Sequence, residues 1–223
     1  MPQHAREDAA AASLAKPRLR GVSHQIAFVA ALVGWVLLME VAPGTRARLA
    51  ASAYGASLAF MFGVSALYHR PTWRPGPRRF LRSFDHASIF VLIAGTYAPL
   101  CLALEPTRGF PLLAFVVTGA LFGILKAILY PDAPRYLAVP IYLLLGWAVL
   151  PVLPAVNRTV GPQGLLLLAL GGLTYSAGAL IYWARRPDPL PGIFGYHEVF
   201  HLLVVAAAAC HFAVVLPIVR GLR

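Results

Sequence analysis

Seven stretches of predominantly apolar residues divide the chain, at about 22–41, 47–69, 84–103, 110–129, 135–155, 163–184 and 196–217. Short segments rich in Pro, Gly and Arg separate them: Pro43-Gly44, the run from Arg70 to Ser83, Pro131-Asp132-Ala133-Pro134, and Arg185-Arg186-Pro187-Asp188-Pro189. An α-helix rises 1.5 Å per residue, so each stretch is near the ~20 residues that cross a ~30 Å hydrocarbon core. Inside lipid, a helix is what satisfies the backbone of such a run. The pattern predicts an all-α, seven-transmembrane-helix bundle. It forms one membrane domain over 21–218, preceded by a flexible polar tail over 1–20. Ser23 is the candidate N-cap of the first helix.

Composition agrees. The chain is 59% hydrophobic and 12% charged, against about 25% charged in a soluble domain. Its net charge of +11 lies in the tail and loops. Seven crossings put the termini on opposite sides. Thirteen Lys and Arg residues then fall on the side of the N-terminus and six on the other. The positive-inside rule predicts a cytoplasmic N-terminus and an extracytoplasmic C-terminus. That is upside down for a G-protein-coupled receptor. A retinal protein needs a lysine in its last helix, and the only lysines are Lys16 and Lys126. No basic helix with interleaved aromatics stands apart from the apolar runs, so a nucleic-acid partner is not expected. Cys101 and Cys210 lie inside apolar runs and make no disulfide framework. The first 20 residues lack a signal-peptide pattern, so the first apolar run is expected to stay as a membrane helix.

The polar residues within the apolar runs carry the chemistry. His197 and His201 share one helix face, one turn apart. His69 ends the second run, Asp85 and His86 open the third, and all lie near the cytoplasmic leaflet in this topology. Ionisable groups in a membrane are costly and face the bundle interior. Three histidines with one open position suit a catalytic Zn²⁺, which lowers the pKa of water to about 7. Asp85 is placed to orient that water or act as general base. Ser65, one turn from His69, can polarise a carbonyl or fix the water. His86 lies about 100° round the helix from Asp85 and is expected to pack. His211, about 15 Å beyond His201, is expected to be a hydrogen-bonded core residue. His24 is expected at the rim of the site. Glu198 points away from the His pair and is expected to pair with Arg70 or Arg82.

Ser65-Ala66-Leu67-Tyr68-His69, Phe84-Asp85-His86-Ala87-Ser88-Ile89-Phe90 with Ala94-Gly95-Thr96-Tyr97-Ala98-Pro99, and Gly195-Tyr196-His197-Glu198-Val199-Phe200-His201 with Cys210-His211-Phe212 resemble the hemolysin III family. That is the bacterial branch of the progestin and adipoQ receptor superfamily. Ser23-His24 resembles the family's Thr-His, and the resemblance spans nearly all of 22–217. It departs at Arg18-Leu19-Arg20-Gly21, where acidic residues are expected. The resemblance implies a seven-helix fold with the N-terminus inside, in the bacterial inner membrane. It implies Zn²⁺ on His69, His197 and His201, with Asp85 at the zinc water and Ser65 nearby. It places the chain near membrane hydrolases, so hydrolysis of a lipid amide or ester from the bilayer is the leading expectation. A non-enzymatic membrane sensor with a structural zinc is the alternative. A cytolysin, pore or transporter ranks third.

Overall fold

The computed structural model describes residues 16–131 and 135–222. Residues 1–15 of the tail expected over 1–20, and Asp132-Ala133-Pro134 of the expected turn, lie outside the described residues. The described residues are helical: α1 (Val22–Val41), α2 (Thr45–His69), α3 (Pro75–Ala103), α4 (Pro106–Leu129), α5 (Arg135–Gly146), α6 (Leu153–Ala184) and α7 (Tyr196–Gly221). A 3₁₀ turn at Leu150–Val152 joins α5 to α6. Among the described residues there is no strand, only an isolated antiparallel bridge between Leu190 and Phe194.

Where seven crossings were expected, six stretches among the described residues are long and apolar enough to span a membrane. The predicted fifth and sixth runs fall within a single 48-residue stretch, Leu137–Ala184. That stretch is not one straight rod. Besides the 3₁₀ turn, it breaks at Gly161, where φ is 72° and ψ 173°, immediately before Pro162. Proline lacks the N–H that would continue the helix, and glycine accepts the left-handed φ.

Two boundaries differ instructively from expectation. α3 begins at Pro75 rather than 84, so Arg78, Arg79 and Arg82 lie on the helix and not in a linker. Pro75-Gly76-Pro77 reads as a breaker, yet proline is favoured in the first turn, where its missing N–H is no loss. α1 starts after Gly21, which has φ +79°, and Ser23 makes no cap. An added Cβ on Gly21 would lie 2.8 Å from the Cβ of His69, so both backbone conformation and space demand glycine. Gly21→Ala should therefore cost about 1–2 kcal/mol from the left-handed backbone alone. The check is a lower thermal midpoint in detergent than wild type.

α2 is the most buried of the spans. Its Ala47, Ala50, Ala51, Gly55, Ala59 and Ala66 let neighbouring backbones approach closely, as small residues do in membrane bundles. An added Cβ on Gly95 of α3 would meet the Ser57 hydroxyl of α2 at 2.0 Å. The main core joins α1, α2, α3, α6 and α7 around Leu38, Tyr54, Phe62, Leu92, Val156, Val215 and Val219. Apolar side chains such as Ile26, Val33, Leu121 and Phe122 point outward from α1 and α4, as a lipid-facing surface requires.

Candidate metal centre

Helix ends build the site. His69 is the last residue of α2, His197 and His201 occupy the first two turns of α7, and Asp85 lies in α3. The three histidines present ligand nitrogens within 4.8 Å of one another and can hold a metal ion. His69 Nε2 and His197 Nε2 are 3.2 Å apart. In a tetrahedral site with metal–nitrogen bonds of ~2.0–2.1 Å, neighbouring nitrogens are about 3.3 Å apart. The observed separation fits that edge. The His69 and His201 rings meet at 4.9 Å between centroids, and His197 and His201 at 4.5 Å. His201 is 2% exposed, and its Nδ1 has no hydrogen-bond partner. Such a cluster of buried imidazoles leaves lone pairs unsatisfied unless a cation or proton answers them.

Asp85 Oδ2 lies 3.6 Å from His69 Nε2, beside the three nitrogens rather than among them. Ser65, 3% exposed, faces His24, with its Oγ 2.9 Å from His24 Nδ1. The structure thus brings Ser65, His69, Asp85, His197 and His201 together.

His24 is deeper than a rim residue. It is 2% exposed, and its ring stacks on His201 at 3.7 Å between centroids and 7° between planes. One signal of this stood in the sequence: a histidine near the start of an otherwise apolar helix. Its contacts depend on how α1 docks against α2 and α7, which the sequence alone does not reveal. His86 accepts the Tyr142 hydroxyl on its backbone carbonyl at 3.3 Å. His211 Nε2 faces the Leu168 carbonyl at 3.4 Å and packs edge-on against Tyr175.

Glu198 does point away from the histidines, but its partner is neither Arg70 nor Arg82. Its carboxylate accepts the Arg20 guanidinium N–H and the Gly195 backbone N–H, the latter at 2.7 Å. Arg20, standing where acidic residues were expected, thus reaches across to α7. Residues 16–21 form a strap over the site. Arg18 and Leu19 donate their N–H groups to Gly192 and Ile193, and the Lys16 ammonium donates to the Arg70 and Pro71 carbonyls. Glu198→Ala would strand Arg20 and uncap α7. The expected loss is about 3 kcal/mol of stability, with partial recovery in Glu198→Gln, which still accepts from Gly195. Thermal unfolding of the two variants beside wild type checks it.

A cavity of about 1920 Å³ runs from the strap and the α2–α3 loop past this cluster into the bundle. His24, Ser65, His69, Asp85, His197 and His201 all line it. Below them it is walled by Ile89, Leu92, Ile93, Leu143 and Val204, and it reaches His211.

Comparison with known proteins supports the resemblance. The profile of the Haemolysin-III related family matches residues 12–212. A Hemolysin-3 homolog of Bacillus subtilis (strain 168) is 33% identical over 165 residues, covering 73% of this chain and 74% of that protein. Hemolysin-3 of Bacillus cereus is 28% identical over 200 residues, covering 87% and 88%. The human Monocyte to macrophage differentiation factor is 28% identical over 198 residues, covering 85% and 79%.

Proposed function

The chain belongs to the Haemolysin-III related family of membrane proteins, and from that premise we propose that it is a zinc-dependent hydrolase of a lipid amide or ester. The observation that carries this reading is the meeting of three imidazoles, a carboxylate and a hydroxyl inside one deep cavity. A Zn²⁺ ion held by His69, His197 and His201 would supply a Lewis acid that polarises a carbonyl and lowers the pKa of water. Asp85 accepts a proton from the attacking water and returns it to the departing oxygen or nitrogen. Ser65, held by His24, offers its hydroxyl to the acyl carbonyl. The strap over residues 16–21 limits entry of bulk water, while the apolar wall of the cavity receives an acyl chain.

The membrane arrangement follows the same proposal. A 48-residue helical stretch would extend about 72 Å, more than twice a ~30 Å core. Leu137–Ala184 therefore crosses twice, turning at the Gly161 break just before Pro162, and seven spans result. The basic residues of the strap, the α2–α3 loop and the α6–α7 loop support a cytoplasmic location for that end. The similarity to bacterial relatives supports a reading in which the chain sits in the bacterial inner membrane.

The test is turnover. Purified protein is stripped with chelator, reloaded with zinc, and incubated with ceramides and phospholipids. Fatty-acid release that follows the zinc is the expected result. An absence of metal-dependent release across the whole panel overturns the reading. A second reading, a non-enzymatic sensor in which zinc clamps α2 to α7, is favoured by the direct His69–His197 contact between the two helix ends. The name Hemolysin-3 borne by the Bacillus cereus relative suggests lysis, and that reading ranks third.

A further inference from the structure

α3 carries more than Asp85 to the cavity. Successive turns of this one helix line the cavity in a fixed chemical order: Arg78, Arg79 and Arg82 first, then Asp85 and His86, and then Ile89, Leu92 and Ile93. The spacing of three and four residues keeps them on one face. Lys16 of the strap and Arg185 after α6 line the same cavity, so the basic wall has contributions from three parts of the chain. The sequence is therefore cation, reacting centre, apolar slot.

We propose that this order reads a lipid bearing a phosphate: the substrate is an anionic glycerophospholipid, with Arg78 and Arg82 setting its headgroup. The inference rests on the proposed reaction at Asp85 and the three histidines, and it names the substrate class for that site. Arg82 and Arg78 stand three and seven residues before Asp85, about 5 and 11 Å along the axis. Five bonds separate the phosphorus of such a lipid from its nearest acyl carbonyl carbon, roughly 6 Å when extended. A phosphate at the arginines thus puts an acyl carbonyl at the level of Asp85 and the chain against Ile89 and Ile93. Arginine suits the task because its planar guanidinium binds phosphate through paired N–H groups. A ceramide lacks the phosphate and offers these guanidiniums no paired acceptor oxygens. The free headgroup shares the phosphate chemistry but not the apolar slot.

Binding, not turnover, tests this. Zinc-loaded protein in detergent is titrated with short-chain phosphatidylglycerol, the matching diacylglycerol and glycerol phosphate. Wild type should bind phosphatidylglycerol at least tenfold more tightly than either of the others. The double variant Arg78→Gln/Arg82→Gln should lose that preference while binding diacylglycerol and zinc as wild type does. Arg108→Gln, at the opposite end of the bundle, should keep the preference, which separates a headgroup site from general attraction of basic protein to anionic lipid. Equal binding of the two lipids by wild type overturns the proposal. So does a preference that survives in the double variant, or glycerol phosphate binding as well as the lipid. Selective binding without hydrolysis of any lipid would leave the headgroup site standing and remove the hydrolase reading alone.

Discussion

His201→Ala and His69→Ala should each reduce bound zinc from about one ion per chain to below roughly a tenth, measured by plasma mass spectrometry on protein purified without chelator. Disturbing a group that only supports a metal ligand costs about 10–100-fold in affinity, and removing one of three nitrogen donors costs more. The two substitutions test different helices. His69 ends α2 and His201 sits on α7, so parallel loss shows that one ion joins both. His211→Ala is the control. It lies about 15 Å beyond His201 along α7 and should keep the ion. Size-exclusion profiles matching wild type separate loss of metal from loss of fold. Zinc retained in both variants, or absent from folded wild type, would sink the metal reading.

Asp85→Asn should keep the zinc and lose the reaction. The carboxylate lies 3.6 Å from His69 Nε2 and is not one of the three nitrogen donors. The amide has the same shape but accepts no proton at working pH. General-base catalysis contributes typically 10²–10⁴-fold, and a fall of that size in kcat is expected. KM should change little, because the lipid is held by the cavity wall and the rim rather than by the base. If Asp85→Asn turns over lipid at the wild-type rate, the catalytic role of Asp85 fails. If the cellular phenotype persists in a variant without turnover, the ion is a clamp and the sensor reading takes its place.

Much of this architecture was legible because it depends on local periodicity. His197 and His201 share a face by helix geometry alone, and His69, Asp85 and the α7 pair fall at one depth once the apolar runs are counted. The parts that were not legible depend on tertiary docking. Nothing in the order of residues shows His24 lying flat on His201, since that stack exists only once α1 packs against α7. The partner of Glu198 was misassigned for the same reason. Arg70 and Arg82 were plausible by side of the membrane, but Arg20 is the cation that the strap carries to it. The early start of α3 was obscured by Pro75 and Pro77, whose meaning reverses between a helix interior and its first turn. Within Leu137–Ala184 the gap expected between 155 and 163 holds the break at Gly161, while the 3₁₀ turn at Leu150–Val152 was not legible because only apolar residues surround it.

The first and second donors of the histidine cluster are remote in the chain: His69 and His197 are 128 residues apart. At ribosomal rates of ~5–20 residues per second, His69 waits on the order of ten seconds for its partner to be made. For that interval the nascent chain holds Ser65, His69 and Asp85 without α7. The cluster is complete only when the final helix is in place, so capture of a metal by all three imidazoles would come at the end of biogenesis and not along it. A chain stalled before Tyr196 would carry a single one of the three imidazoles, which gives quality-control machinery a chemical difference between finished and unfinished protein.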